Sequence, residues 1–247
     1  MSLPVLKSRR GPALVLSINR PEDANRIDSA AMTALCDYLA EADADPTVRV
    51  VVVTGSRDHF CSGGRIDGHP GGTVEQQLTF ARAFCALQSR FAQSRVPVVA
   101  AVEGPCTAGG MSILAACDLA IAADDVHFSF PEINFGLFPV LAMGVAIPLI
   151  PPKRALELFF TGRDLGPVEA LELNLINRAV PHARFWAEVD ALVEQLAGKS
   201  PTALNLGRKA YYAMVPMPPA ARLDHAQTAL TTMLAAAGGS GAVPRSR

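Results

Sequence analysis

The sequence predicts an α/β fold, on three observations. Residues 48–54 (VRVVVVT) and 97–102 (PVVAAV) are dense β-branched or small apolar runs, which read as buried strands. Segments with helical start signals lie between such runs. From Pro151 onward the pattern is mostly helical, with one short strand signal at 177–180. Strands alternating with helices argue for a sheet with helices packed against it.

The first strand expected is 13–19, an apolar run after Gly11-Pro12. Asp28 or Ser29 can cap a helix running to about residue 43. After the strand at 48–54 comes a Gly-rich loop through Gly72. Thr73 and Gln76 then form a T-x-x-Q capping box that opens a helix to about residue 93. Residues 111–116 read as a helix, and 118–123 and 126–130 as short strands. Ser200-Pro201 is a cap followed by proline at the first helical position. Residues 1–199 are expected to form one core, and 200–247 a helical region whose tail, 238–247, is small, polar and loose.

Bulk properties narrow the function. The chain has 247 residues, enough for one large domain. Hydrophobic residues make up 50% and charged residues 18%, so the interior is generous or a subunit interface is apolar. A net charge of −1 gives no nucleic-acid footprint. The five cysteines (36, 61, 85, 106, 117) show no metal-type spacing, and reduced thiols in a cytoplasmic compartment are the simplest reading. Residues 133–152 carry no charge but contain four prolines and two glycines, which fits buried turns rather than a membrane span.

A quasi-repeat carries the chemistry. VVVVTG leads to a loop ending in Cys61-Ser62-Gly63-Gly64, and VVAAVEG leads to one ending in Cys106-Thr107-Ala108-Gly109-Gly110. Both read as strand, tight loop, Gly-Gly, then helix. Glycine lets a backbone approach a ligand closely. Helix N-termini offer unpaired N–H groups, and two facing each other would hold one negatively charged oxygen. One Gly-Gly alone is explained as a tight turn; two in matching contexts favour the functional reading. The second loop is not a phosphate-binding P-loop, because Gly110 and Met111 stand where Lys and Ser or Thr are needed. No G-x-G-x-x-G follows a strand. His59 and Cys61 suggest a thiol nucleophile, but no third group orients them. Glu132 is a carboxylate in the apolar stretch FSFPEINFGLFP. Burial there would raise its pKa and suit it to acid/base work, although on the residues alone a capping or salt-bridged glutamate is the better explanation.

These residues resemble a family. FCSGGRI resembles the crotonase motif F-S-A-G-A-D-L. VPVVAAVEGPCTAGGMSILAACDLAIAADDVHFSFPEINFGLFP resembles the central stretch of the crotonase (enoyl-CoA hydratase/isomerase) superfamily, and ALELFFTGRDLGPVEALELNLINRAVP the stretch after it. RPEDANRID resembles the element that meets the coenzyme A adenine. The resemblance covers about residues 10–210 and implies a ββα spiral with a C-terminal helical region used in trimerisation. It implies Gly64 and Gly109 as oxyanion-hole donors, Glu132 as acid/base and Ser112 as its hydrogen-bonding partner. It implies Ala24, Arg26, Ser62, Gly63 and Gly110 as substrate or coenzyme A contacts, with Lys209 a weaker one. The expected substrate is an enoyl-CoA thioester, with coenzyme A part of the substrate, no separate cofactor and no metal. A homotrimer or dimer of trimers is implied.

The sequence departs from the family at four places. Ser112 stands where two-carboxylate hydratases carry a first glutamate. Arg65 replaces an aspartate, Asn174 replaces a glycine, and residues 236–247 lack the usual C-terminal element. A hydratase is the leading expectation. A Δ3,Δ2-enoyl-CoA isomerase using Glu132 alone, a hydroxycinnamoyl-CoA hydratase-lyase-like enzyme and a non-catalytic acyl-CoA-binding protein are the alternatives.

Overall fold

Runs of β-branched residues form the centre of the molecule. Residues 50–54 and 98–102 are buried at every position, as parallel strands covered on both faces must be. The structure is a computed structural model and describes residues 3–65 and 72–238. Its main sheet has the order β1 (Val5–Arg10), β2 (Ala13–Ile18), β3 (Val50–Thr54), β4 (Val98–Val102), β6 (Leu119–Ala123), β8 (Arg178–Val180). β1 and β2 pair antiparallel, and the remaining pairs are parallel.

A second, shorter ladder runs beside the main sheet. β5 (Cys106–Thr107) pairs in parallel with β7 (Phe128–Ser129). Single bridges extend it, from Ile27 to Gly64, Cys61 to Cys106 and Phe128 to Leu165. Each turn of the chain therefore gives one long strand to the main sheet and one short rung to the ladder. Helices close the turns: α1 (Ser29–Ala44), α2 (Val74–Gln93) and α3 (Gly109–Ala116) follow successive rungs. α4 (Val140–Ala146), α5 (Pro152–Thr161), α6 (Pro167–Glu172), α7 (Phe185–Ala197), α8 (Pro201–Met214) and α9 (Pro219–Gly238) complete the chain.

Local signals set the helix starts. Asp28 Oδ1 accepts the Ala31 N–H at 2.9 Å and caps α1. Thr73 and Gln76 form the reciprocal capping box of α2. Ser200 caps α8 through the Ala203 N–H at 3.3 Å. β1 has no counterpart among the expected strands. Only its first residue is buried, so its sequence (VLKSRR) carries no apolar alternation, and pairing with β2 holds it at the edge. The uncharged stretch 133–152 becomes the end of a 3-10 helix (Pro131–Phe135), then α4 and a turn, but it is not buried as expected: Phe135, Leu137, Val140 and Ile147 are exposed. No helix among the described residues is long and apolar enough to cross a membrane. The expected loose tail lies, from residue 239 on, outside the described residues.

Arg208 fastens the C-terminal helices to this core. From α8 its guanidinium donates to both oxygens of Asp118, at 2.9 and 2.8 Å, and to the carbonyls of Phe91 and Ser94. The same carboxylate accepts from the Tyr212 hydroxyl and the Val98 N–H, each at 2.7 Å. Arg208 and Asp118 are only 10% and 15% exposed, so removing one leaves the other desolvated and unpaired. Arg208→Ala is expected to lower stability by about 3 kcal/mol. Amide hydrogen exchange should show α8 opening first; unchanged protection in α8 would contradict this role.

Candidate active site

The short ladder brings the two Gly-Gly elements together. Ile27 N–H donates to Gly63 O at 2.9 Å and Arg65 N–H to Ile27 O at 2.7 Å, which holds Gly64 in register. Thr107 N–H donates to Cys61 O at 3.0 Å, and Ala108 N–H to Ser129 O at 3.0 Å, which holds the start of α3. A Cβ built on Gly109 would lie 3.1 Å from Gly64 N. The Gly64 and Gly109 backbones are thus in contact, and neither N–H has an acceptor among the described residues. One on Gly110 would lie 2.1 Å from Cys61 O, so α3 can begin here only because residue 110 has no side chain.

The two halves of the repeat are not alike. Gly109 opens α3 directly, and its N–H is an unpaired first-turn donor. Gly64 sits in an extended bridge, and the next described helix starts at Val74. The helix after the first Gly-Gly starts past Gly72 at the expected capping box, whereas the second Gly-Gly opens its helix at once. Ala108 precedes α3 at φ 50°, ψ −120°, a region that favours glycine. Its N–H bond to Ser129 helps hold that strained residue in place.

Glu132 lies three residues beyond Ser129, at the start of the 3-10 helix. It is partly buried, and its Oε2 is inaccessible and without a hydrogen-bond partner. Burial pushes its pKa up; a bond from its own backbone N–H opposes this weakly. Ser112 is fully buried on α3, three residues past Gly109, and its Oγ likewise has no partner. Buried polar atoms nearly always find a partner. Six side-chain atoms among the described residues are buried without a partner, and these two lie on elements that adjoin the paired amides.

The expected coenzyme A loop is also held here. Ser62 N–H and Oγ both donate to Ala24 O, at 3.2 and 2.6 Å. Ala24 and Asn25 both have positive φ. Asn25, buried to 1% exposure, accepts the Arg20 N–H at 2.8 Å and donates to His59 O at 2.6 Å. Arg26 is half exposed and pairs with Asp23. Ala24, Ser62, Gly63, Gly64, Gly109 and Gly110 therefore share one continuous backbone network. Lys209, exposed on α8, makes no hydrogen bond to that network among the described residues.

The Cys61 thiol is fully buried, and burial pushes its pKa up to about 12, which agrees with the reading that it is not a nucleophile. Asn174, where glycine was the family expectation, has φ 60°; asparagine tolerates that conformation better than most side chains. Sequence reasoning missed Phe80. Its ring tip lies 2.3 Å from where a Gly64 Cβ would sit, so it walls the Gly64 amide. The only signal was its place on the apolar face of α2.

Two spare amides in contact, with a partly buried carboxyl on the segment after the neighbouring rung, are the kinds of group that a carbonyl-polarising enzyme needs. The comparisons agree with that class. Residues 10–238 match the family described as enoyl-CoA hydratase/isomerase. The Enoyl-CoA hydratase domain-containing protein 3, mitochondrial, of Xenopus laevis is 31% identical, over 85% of this chain and 71% of its own. The carnitinyl-CoA dehydratase of Salmonella enteritidis is 30% identical, over 85% of this chain and 81% of its own. Among solved structures, an enoyl-CoA hydratase of Mycobacterium smegmatis superposes with a TM-score of 0.89 at 26% identity, covering 93% of this chain and 90% of that one. The chain belongs to the enoyl-CoA hydratase/isomerase family, and its fold is the crotonase fold.

The close approach at Gly110 makes a direct prediction. Gly110→Ala should push α3 off Cys61 O and cost more than about 2 kcal/mol. Gly144→Ala, where a Cβ meets nothing within 4 Å, should leave the protein as stable or slightly more stable. Equal melting temperatures for the two variants would show that the approach is looser than drawn.

Proposed function

We propose that the protein is an enoyl-CoA hydratase in which one carboxyl group performs both proton transfers. The observation that carries this is the pair of unpartnered buried atoms, Glu132 Oε2 and Ser112 Oγ, on elements tied to the Gly64 and Gly109 amides. The thioester carbonyl accepts hydrogen bonds from both amides. Glu132 takes a proton from water held against Ser112, and the hydroxide adds to C3 of the enoyl group. The electron pair of the C2=C3 bond moves onto the carbonyl oxygen as an enolate, where each amide contributes about 2.7–4 kcal/mol to lowering the barrier. Glu132 then returns the same proton to C2. Water is consumed, and the carboxylate is regenerated.

The raised pKa of Glu132 fits this double role, because a group that both takes and returns a proton works best near the operating pH. Its relatives' names, a hydratase and a dehydratase, describe the same water chemistry in either direction. We also propose a homotrimer or dimer of trimers. Phe135, Phe160 and Leu223 are 76%, 62% and 74% exposed, large apolar side chains of the kind a subunit interface covers.

The test is a pair of assays, with 2-enoyl-CoA and with 3-enoyl-CoA. Hydration of the first without double-bond migration in the second is expected. Migration without hydration would make the protein an isomerase, and binding of both without turnover would make it an acyl-CoA-binding protein. Glu132→Gln should lower kcat about 10²–10⁴-fold, and Ser112→Ala about tenfold. The acid limb of the pH–rate profile should lie above the ordinary glutamate range, since the base works only when deprotonated. The sign for stability is opposite. The folded carboxyl binds its proton more tightly than the unfolded one, so this group weakens the fold as pH rises through that range. Glu132→Gln should therefore raise the melting temperature at pH 8 while lowering turnover; a lower melting temperature would mean the carboxylate is paired.

A further inference from the structure

Among the described residues, Ala24, Asn25, Ala108 and Asn174 have positive φ without being glycine. Two are asparagines, which tolerate it. Ala24 has φ 50°, ψ 36°, inside the left-handed helical region. Ala108 has the same φ but ψ −120°, outside that region and in one that glycine adopts far more easily. Residue type and φ are the same, and ψ differs. Ala108 immediately precedes the Gly109 amide, so its ψ is the angle that aims that amide.

The bonds around Ala108 explain why the strain sits in ψ. Thr107 N–H donates to Cys61 O and Ala108 N–H to Ser129 O, each at 3.0 Å, so the chain entering Ala108 is fixed. A Cβ on Gly63 would lie 3.0 Å from the Ala108 Cβ, so the methyl rests against Gly63 and has no room to swing toward it. On the other side, Met111 N–H donates to Ala108 O at 3.0 Å and opposes rotation of the 108–109 peptide. Turning that peptide until ψ matches Ala24 would relieve the strain and break the Met111 bond. The two effects are of the same order and of opposite sign. A trans peptide is planar, so its C=O and N–H turn together. The turned peptide presents the Ala108 carbonyl where the Gly109 N–H now points. Residue 109 would have to take a positive φ, which it can do because it is a glycine.

We propose that Ala108 is a positioning residue whose strained backbone makes the Gly109 half of the oxyanion hole conditional on its ligand. The inference rests on the reading of Gly109 as an oxyanion donor. Strain at Ala108 draws the peptide away from the aimed state and the Met111 bond draws it back, so both states are populated at rest. An oxygen at the site accepts a hydrogen bond in the aimed state and meets a carbonyl in the other. Binding therefore shifts the population toward the aimed state. A negatively charged oxygen does so more strongly than a neutral one, because charge-assisted hydrogen bonds are stronger. The full donor pair is thus in place when charge develops on the thioester carbonyl. Gly64 behaves differently. The Ile27 N–H holds the Gly63 carbonyl of its peptide at 2.9 Å, and residue 63, at φ 121°, is a glycine without comparable strain. One amide is fixed, and residue 108 sets the other.

Ala108→Gly in the full chain removes the strain and keeps every backbone hydrogen bond. Isotope-edited infrared spectra of a bound saturated acyl-CoA, labelled in its thioester carbonyl, report whether one amide or two meet the oxygen. The wild type should give two carbonyl bands, and Ala108→Gly should move intensity into the one at lower frequency. Its kcat/KM for a 2-enoyl-CoA should rise about three- to tenfold, because the fraction of competent protein limits apparent affinity. Its melting temperature should rise by about 2–4 °C. Asn174→Gly is the control. It removes a positive φ just after α6, outside the backbone network of Gly64 and Gly109, and should leave the carbonyl bands and kcat/KM as in the wild type. Unchanged bands and kcat/KM in Ala108→Gly overturn the proposal, since the fold alone then aims the amide. A fall in kcat/KM also overturns it, since the methyl is then a spacer that the site needs. A wild type that binds no acyl-CoA, or binds it with no downward shift of the carbonyl band, removes the oxyanion reading of Gly109 first, and this inference with it.

Discussion

The whole arrangement depends on a few backbone hydrogen bonds in the short ladder. Thr107 N–H to Cys61 O, Ala108 N–H to Ser129 O and Ile27 N–H to Gly63 O join turns of the chain that are far apart in sequence. They fix Gly64 against Gly109 while leaving both N–H groups without an acceptor among the described residues. Register imposes this, because each rung spends its bonds on neighbouring residues and the glycines fall between them. Gly64 is exposed and Gly109 half-buried, so water meets either amide at little cost to the fold. The main sheet holds the pair in place. Its buried valines and alanines are rigid and densely packed, so the ladder rests on a surface that does not relax to satisfy the spare amides.

The same logic extends to the side chains. Ser112 and Glu132 each bury an oxygen that the protein itself does not satisfy. Both are attached to ladder elements, Ser112 through α3 and Glu132 through the segment after Ser129. Under the proposed mechanism, four unsatisfied groups are the complement of one substrate carbonyl and one water. On this view the serine in place of a first glutamate makes Glu132 both the acceptor and the returner of the proton.

The amino-acid sequence reveals the parts whose signals are local. The β3 and β4 strands are visible because both faces are buried, so their valines run without interruption. The α1 and α2 starts are visible because Asp28 and the Thr73–Gln76 box are short-range chemistry. Gly64, Gly109 and Glu132 are visible because glycine pairs and an isolated carboxylate are unusual where they stand. What stays hidden is non-local. β1 lacks a pattern because it is an exposed edge whose stability comes from β2. The rungs at Ile27, Cys61 and Cys106 are single bridges, too short for any periodicity. Phe80 looks like one more core phenylalanine until its contact with Gly64 is seen. Arg65 looks like a surface residue until Asp23 is seen to hold it beside Arg26.

The most direct measurement is a crystal structure of the protein with a saturated acyl-CoA, which can bind but cannot be hydrated. The account predicts a thioester oxygen about 2.7–3.1 Å from both the Gly64 and Gly109 nitrogens, with the acyl C2–C3 bond facing Glu132. A thioester oxygen that meets neither amide, or a Glu132 carboxylate turned away to solvent, would contradict it.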